Sequence, residues 1–125
     1  MILVDTSVWV AHFRAPEPGL ARLADEELVL IHPFVIGELA LGSFKQRALV
    51  IGYLQGLIYG TQASDTEVLD MIDRFKLFGS GIGFVDAHLL ASARLTAGSK
   101  IWTRDKRLAS AADAMGLLFF ETYLQ

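Results

Sequence analysis

The sequence predicts an α/β fold, a three-layer α/β/α sandwich on a mostly parallel central sheet. Three observations lead there. Short apolar runs recur along the chain, stretches of helical periodicity lie between them, and capping or glycine residues mark the changes. Short apolar strands alternating with amphipathic helices pack as a parallel sheet covered on both faces.

The elements follow in order. Residues 1–5 read as a buried strand that ends on Asp5, a carboxylate able to cap a helix starting at Thr6 or Ser7. Residues 28–31 (LVLI) are a second strand. Pro33 is tolerated in a first helical turn, where no intrahelical N–H is needed, and opens a helix of about ten residues through Phe34, Leu39 and Leu41. Residues 48–59 (ALVIGYLQGLIY) are apolar nearly all round if helical, and Gly52 and Gly56 allow another helix to approach closely. That segment is either a core helix or a surface for a partner.

Ser64 begins S-D-T-E, a capping box with Glu67 at its third helical position, and Val68, Leu69, Ile72 and Phe75 continue at helical spacing. Leu89, Leu90, Ala93 and Ala97 form another stripe, as do Leu108, Ala111, Ala112 and Met115, with Gly98 and Gly116 as C-terminal stops. Strands are expected at 100–103 (KIWT) and 117–120 (LLFF).

A chain of 125 residues without a break in composition fits one domain, 1–125. Hydrophobic residues make up 53%, and the mean hydropathy is +0.42. That exceeds what a soluble domain needs, so some apolar surface is expected against a partner, most simply in a homodimer or a complex. Cysteine is absent, which excludes disulfides and thiolate sites and leaves oxygen and imidazole as metal ligands. No signal-peptide pattern is present and no apolar run reaches the roughly 20 residues of a bilayer span, so a cytoplasmic protein with no membrane partner is expected. A net charge of −3 argues against a broad basic surface for nucleic acid, though a local basic rim is compatible with it.

Four acidic residues stand in apolar or small-residue contexts: Asp5 (ILVDTSV), Glu38 (FVIGELALG), Asp86 (IGFVDAHLLASA) and Asp105 (IWTRDKRL). Asp25, Glu26, Glu27, Asp65, Glu67, Asp70 and Asp73 instead cluster or sit on polar helix faces, as solvated charges do. Singly, Asp5 and Asp86 have an ordinary reading as helix caps or first-turn acids. Glu38 is harder to dismiss in that way, because it lies mid-helix on a face shared with Phe34 and Val35. In parallel sheets sites lie beyond the carboxyl ends of strands, where Asp5 and Asp105 both fall. Carboxylates gathered there repel one another unless a cation neutralises them, and a hard ion, Mg²⁺ or Mn²⁺, suits an all-oxygen set that leaves room for phosphate.

MILVDTSVW, FVIGELALG, VDAHLLASA and WTRDKRL occur in the order and approximate spacing of PIN-domain ribonucleases, and the chain most resembles the VapC-type toxins of bacterial toxin–antitoxin pairs. The resemblance implies a PIN-like fold and an endoribonuclease that hydrolyses RNA with Mg²⁺ or Mn²⁺, restrained by a cognate antitoxin. It makes Asp5, Glu38, Asp86 and Asp105 the catalytic acids, with Asp5, Asp86 and Asp105 as metal ligands. Thr103 would hold a carboxylate or a water, and Thr6 and Ser7 would support Asp5 or contact phosphate. Many relatives carry another acid shortly after the fourth. Here Lys106 and Arg107 follow it, and Arg104 and Lys106 are expected to bind RNA phosphate.

Other signals are weaker. GSGIG at 79–83 resembles a phosphate loop but follows a helix and lacks the full spacing, so it reads as a connection. His12, His32 and His88 lack metal-ligand spacing, and Trp9 and Trp102 read as core. A haloacid-dehalogenase-like phosphatase would need a second Asp at position 7, where this chain has Ser7. An inactive RNA- or partner-binding domain of the same fold is the remaining alternative.

Overall fold

The computed structural model describes residues 1–124. Its sheet has four parallel strands in the order β3-β2-β1-β4. These are β1 (Ile2–Val4), β2 (Val29–Ile31), β3 (Ile58–Tyr59) and β4 (Lys100–Trp102). Leu3 of β1 lies between Leu30 of β2 and Ile101 of β4, and all three side chains are buried. Central strands covered on both faces are apolar throughout, which is why none of them alternates.

Seven helices cover the sheet among the described residues: α1 (Thr6–Arg14), α2 (Pro18–Asp25), α3 (Pro33–Ala40), α4 (Arg47–Gln55), α5 (Asp65–Arg74), α6 (Phe84–Leu95) and α7 (Lys106–Ala114). Helix α3 packs against both α1 and α4, while α6 packs against α5 and β4. The capping box at the start of α5 forms in full: Ser64 Oγ accepts from Glu67 N–H, and Glu67 Oε1 accepts from Ser64 N–H. Gly98 and Gly116 take left-handed φ values of 72° and 71° after α6 and α7, a conformation that favours residues without a Cβ.

Three expectations need correction. Residues 117–120 do not form a strand; Leu118 makes a single bridge to Ile101, with Phe119 N–H donating to Ile101 O at 2.8 Å. The fourth strand is instead β3, which takes the last two residues of the apolar run 48–59 after α4 has ended at Gln55. Helix α2, with Pro18 at its start and Leu20 and Leu23 buried, was not anticipated.

The apolar run itself is mostly not core. On α4 only Leu54 is fully buried, Leu49 and Tyr53 are exposed, and a Cβ added at Gly52 would meet nothing within 4 Å. One side of α4 lines a largely apolar groove of 720 Å³ with Trp9, His12 and Phe13 of α1 and Ala21 and Ala24 of α2. The described residues contain no helix long and apolar enough to cross a membrane.

Candidate active site

Each of the four acids occupies a position that its element fixes. Asp5 follows β1 and is the N-cap of α1, so the strand's end and the helix's start together place its carboxylate at the carboxyl edge of the sheet. Asp105 is the N-cap of α7 just beyond β4, the strand beside β1, and its Oδ1 accepts from Arg107 N–H and Leu108 N–H at 2.9 and 3.0 Å. Asp86 lies in the first turn of α6, where the free N–H groups favour negative charge, and bonds the backbone of Gly83, the N-cap. Glu38 is on α3, exposed, with Oε1 accepting from Thr6 Oγ1 at 2.7 Å.

Asp5 is the most constrained of the four. It is 5% exposed, and its Oδ2 accepts from Ser7 Oγ at 2.7 Å, from Thr103 Oγ1 at 2.8 Å and from Ser7 N–H at 3.4 Å. Buried charge is tolerated when hydrogen-bonded in this way. Thr103 also accepts from Asp105 N–H at 3.0 Å, so one hydroxyl joins the ends of β1 and β4. Ser7 and Thr103 both donate to the same oxygen of Asp5. Thr6 differs from the expectation, because its hydroxyl turns to Glu38 and leaves Asp5 to Ser7.

Asp86 feels the charge of the other three acids. Asp86 holds its proton more tightly than an ordinary carboxylate, first because it is partly buried and then because the charges of Asp5, Asp105 and Glu38 all oppose its ionisation. The Gly83 hydrogen bond offsets part of that rise.

Among the described residues no three His, Asp or Glu side chains form a ready-made metal cage. The donor set nevertheless suits a hard cation that keeps several of its own waters and takes few carboxylates. Asp5 Oδ1, Asp105 Oδ2 and Glu38 Oε2 have no hydrogen-bond partner among the described residues, which leaves an oxygen available on each.

Of the two cations expected to bind RNA, only Lys106 has no ion pair among the described residues, and it is exposed beside Asp105. Arg104 is already paired. Its guanidinium donates to Glu17 at 2.6 Å and to Glu121 at 2.8 Å, so a phosphate would have to displace two carboxylates. Sequence reasoning missed these two acids, which stand 87 and 17 residues away and carry no local mark.

Each histidine makes a hydrogen bond within the fold. His32 caps α3, with Nδ1 accepting from Phe34 N–H at 3.0 Å. His88 is buried against Phe34 and Phe84 with Nε2 on Asp65 Oδ1, and His12 accepts from Glu17 N–H. The 79–83 stretch is the connection between α5 and α6, and its last glycine is the N-cap that Asp86 contacts.

A four-stranded parallel sheet with helices on it, and with Asp5 and Asp105 as N-caps just beyond two neighbouring strands, defines a class of α/β domain with acids at the carboxyl edge of its sheet. The chain belongs to the PIN domain family, which it matches over residues 2–114. It is 46% identical over 121 residues to Ribonuclease VapC32 of Mycobacterium tuberculosis, in both strain CDC 1551 and strain H37Rv, an alignment covering 97% of this chain and 98% of the relative.

Proposed function

We propose that the chain is a metal-dependent endoribonuclease of the VapC type, the toxin of a toxin–antitoxin pair, acting through Asp5, Glu38, Asp86 and Asp105. The observation that carries this reading is the placement of Asp5 and Asp105 as N-caps just beyond the neighbouring strands β1 and β4, with Asp86 in the first turn of α6. Family membership and the near full-length match to a protein named a ribonuclease support it.

In this reading Asp5, Asp86 and Asp105 hold Mg²⁺ or Mn²⁺. The ion, when bound, supplies a Lewis acid that polarises the phosphodiester and makes water a better nucleophile. The protein's own residues prepare the site. Ser7 and Thr103 fix the carboxylate plane of Asp5 through Oδ2 and leave Oδ1 free, and Thr6 does the same for Glu38. Glu38 is the one acid of the four not assigned to the metal, and is placed to orient water. Lys106, exposed next to Asp105, attracts the RNA backbone into an otherwise acidic cleft.

Residues 1–125 are proposed to act as one nuclease domain in the cytoplasm, as a homodimer. The groove between α1, α2 and α4, with Leu49 and Tyr53 exposed on the same helix, is the surface proposed for an apolar segment of the antitoxin.

The test is cleavage of a labelled structured RNA with Mg²⁺ or Mn²⁺, with and without chelator, by the wild type and by Asp5→Asn and Asp86→Asn. Cleavage should require the ion and vanish in both variants. Persistence in both would refute the assignment.

A further inference from the structure

The segment 103–105 reaches Asp5 twice. Thr103 Oγ1 donates to Asp5 Oδ2, and the Arg104 backbone N–H donates to Ser7 Oγ at 3.0 Å, whose own proton goes to the same Asp5 oxygen at 2.7 Å. The path of this short loop therefore sets where the Asp5 carboxylate points.

The Arg104 side chain runs the other way and is anchored at both ends of its fork. Nη1 donates to Glu17 Oε1, and Nε donates to Glu121 Oε1, which also accepts from Trp102 Nε1–H at 2.8 Å. The guanidinium lies 5.9 Å from the ring centre of buried Trp102. Both anchors are themselves held. Glu17 is the N-cap of α2, and its backbone N–H donates to His12 Nδ1 at 2.9 Å. Glu121 opens a 3₁₀ turn, Glu121–Leu124, that is seated on α2: a Cβ at Gly19 would stand 2.6 Å from the Leu124 side chain. Charge-assisted bonds of this length are the strong kind, and two carboxylates on one guanidinium leave a net negative charge that repels phosphate.

We propose that Arg104 is a positioning residue for Asp5, clamped by Glu17 and Glu121 so that its backbone holds Ser7 and through Ser7 the Asp5 carboxylate. The inference rests on the metal site proposed at Asp5. It assigns no RNA contact to the Arg104 side chain.

The two roles predict opposite results. The experiment compares Arg104→Gln, Arg104→Lys and the double variant Glu17→Ala/Glu121→Ala, which frees the guanidinium without removing it. Two measurements are made: steady-state cleavage of a labelled stem–loop RNA with Mn²⁺ over a range of salt, and Mn²⁺ affinity from the free-ion EPR signal.

A positioning role lowers kcat and Mn²⁺ affinity about tenfold in both Arg104→Gln and the double variant, as loss of a supporting hydrogen bond commonly does. KM and its salt dependence stay within twofold, and Arg104→Lys falls between. An RNA contact instead raises KM in Arg104→Gln and reduces the salt slope by about one, while the freed arginine of the double variant lowers KM. That pattern, or no change in either measurement, overturns the proposal. If the wild type binds Mn²⁺ but cuts no RNA, the ribonuclease reading fails by itself and the Mn²⁺ affinities alone decide the clamp.

Discussion

Replacing Thr103 with Val keeps the shape of the side chain and removes one hydroxyl. That hydroxyl is 8% exposed as part of its residue, donates to the buried Asp5 carboxylate and accepts from Asp105 N–H. A hydrogen bond to a charged group contributes about 1.5–3 kcal/mol, and a donor left unpaired costs about 1–3 kcal/mol more. Asp105 is exposed, so water can reach its N–H and the lower end of the second figure applies. Ser7 Oγ still serves Asp5, which moderates the first. The expected loss is about 3 kcal/mol, a fall of roughly 10 °C in melting temperature for a chain of this length. Cleavage should fall about 10- to 100-fold, the range for loss of a group that orients a ligand. Thr103→Ser restores the hydroxyl and should recover most of both. Urea unfolding and RNA cleavage measured on the same preparations test this, and a Val variant within 0.5 kcal/mol of wild type with unchanged activity would refute the role given to Thr103.

Two further predictions concern charge. Asp86 binds its proton more tightly in the fold than in the unfolded chain, so without metal its ionisation weakens the fold as pH rises above the ordinary carboxylate range. Asp86→Asn should therefore raise the metal-free melting temperature at pH 7 while abolishing cleavage; calorimetry in chelator should show the rise, and a fall would contradict it. His32 is held neutral, its pKa lowered to about 4 by burial and then by the nearby His88. The unfolded chain binds that proton below about 6.5, so stability should decline as pH falls from 6.5 to 4, by up to about 3 kcal/mol. His32→Asn, which can still cap α3, should flatten that part of the stability curve, and an unchanged slope would show that other groups set it.

What the sequence made legible follows from how local the signals are. The capping box at Ser64 and the glycine stops at 98 and 116 each involve residues within a few positions of one another and formed where expected, while β1 and β4 lie within the expected runs and end one residue earlier, at Val4 and Trp102. The short strand β3 was hidden because Ile58 and Tyr59 continue an apolar run in which no residue type marks the change from helix to strand. LLFF looked like a strand because it is apolar, but pairing stops after one bridge and the chain turns into the Glu121–Leu124 segment. At the site, the acids could be picked out because each interrupts an apolar context. Their hydrogen-bond partners could not, since Thr6–Glu38 and the Arg104 clamp join segments distant in sequence.

The central proposal is that Asp5, Asp86 and Asp105 hold one cation, with Glu38 beside it. Soaking crystals in Mn²⁺ and measuring anomalous scattering tests it most directly. The account predicts a peak bonded to Asp5 Oδ1 and to Asp86, within reach of Asp105, at the carboxyl edge of the sheet. A peak elsewhere, or none at Mn²⁺ concentrations that support cleavage, would contradict it.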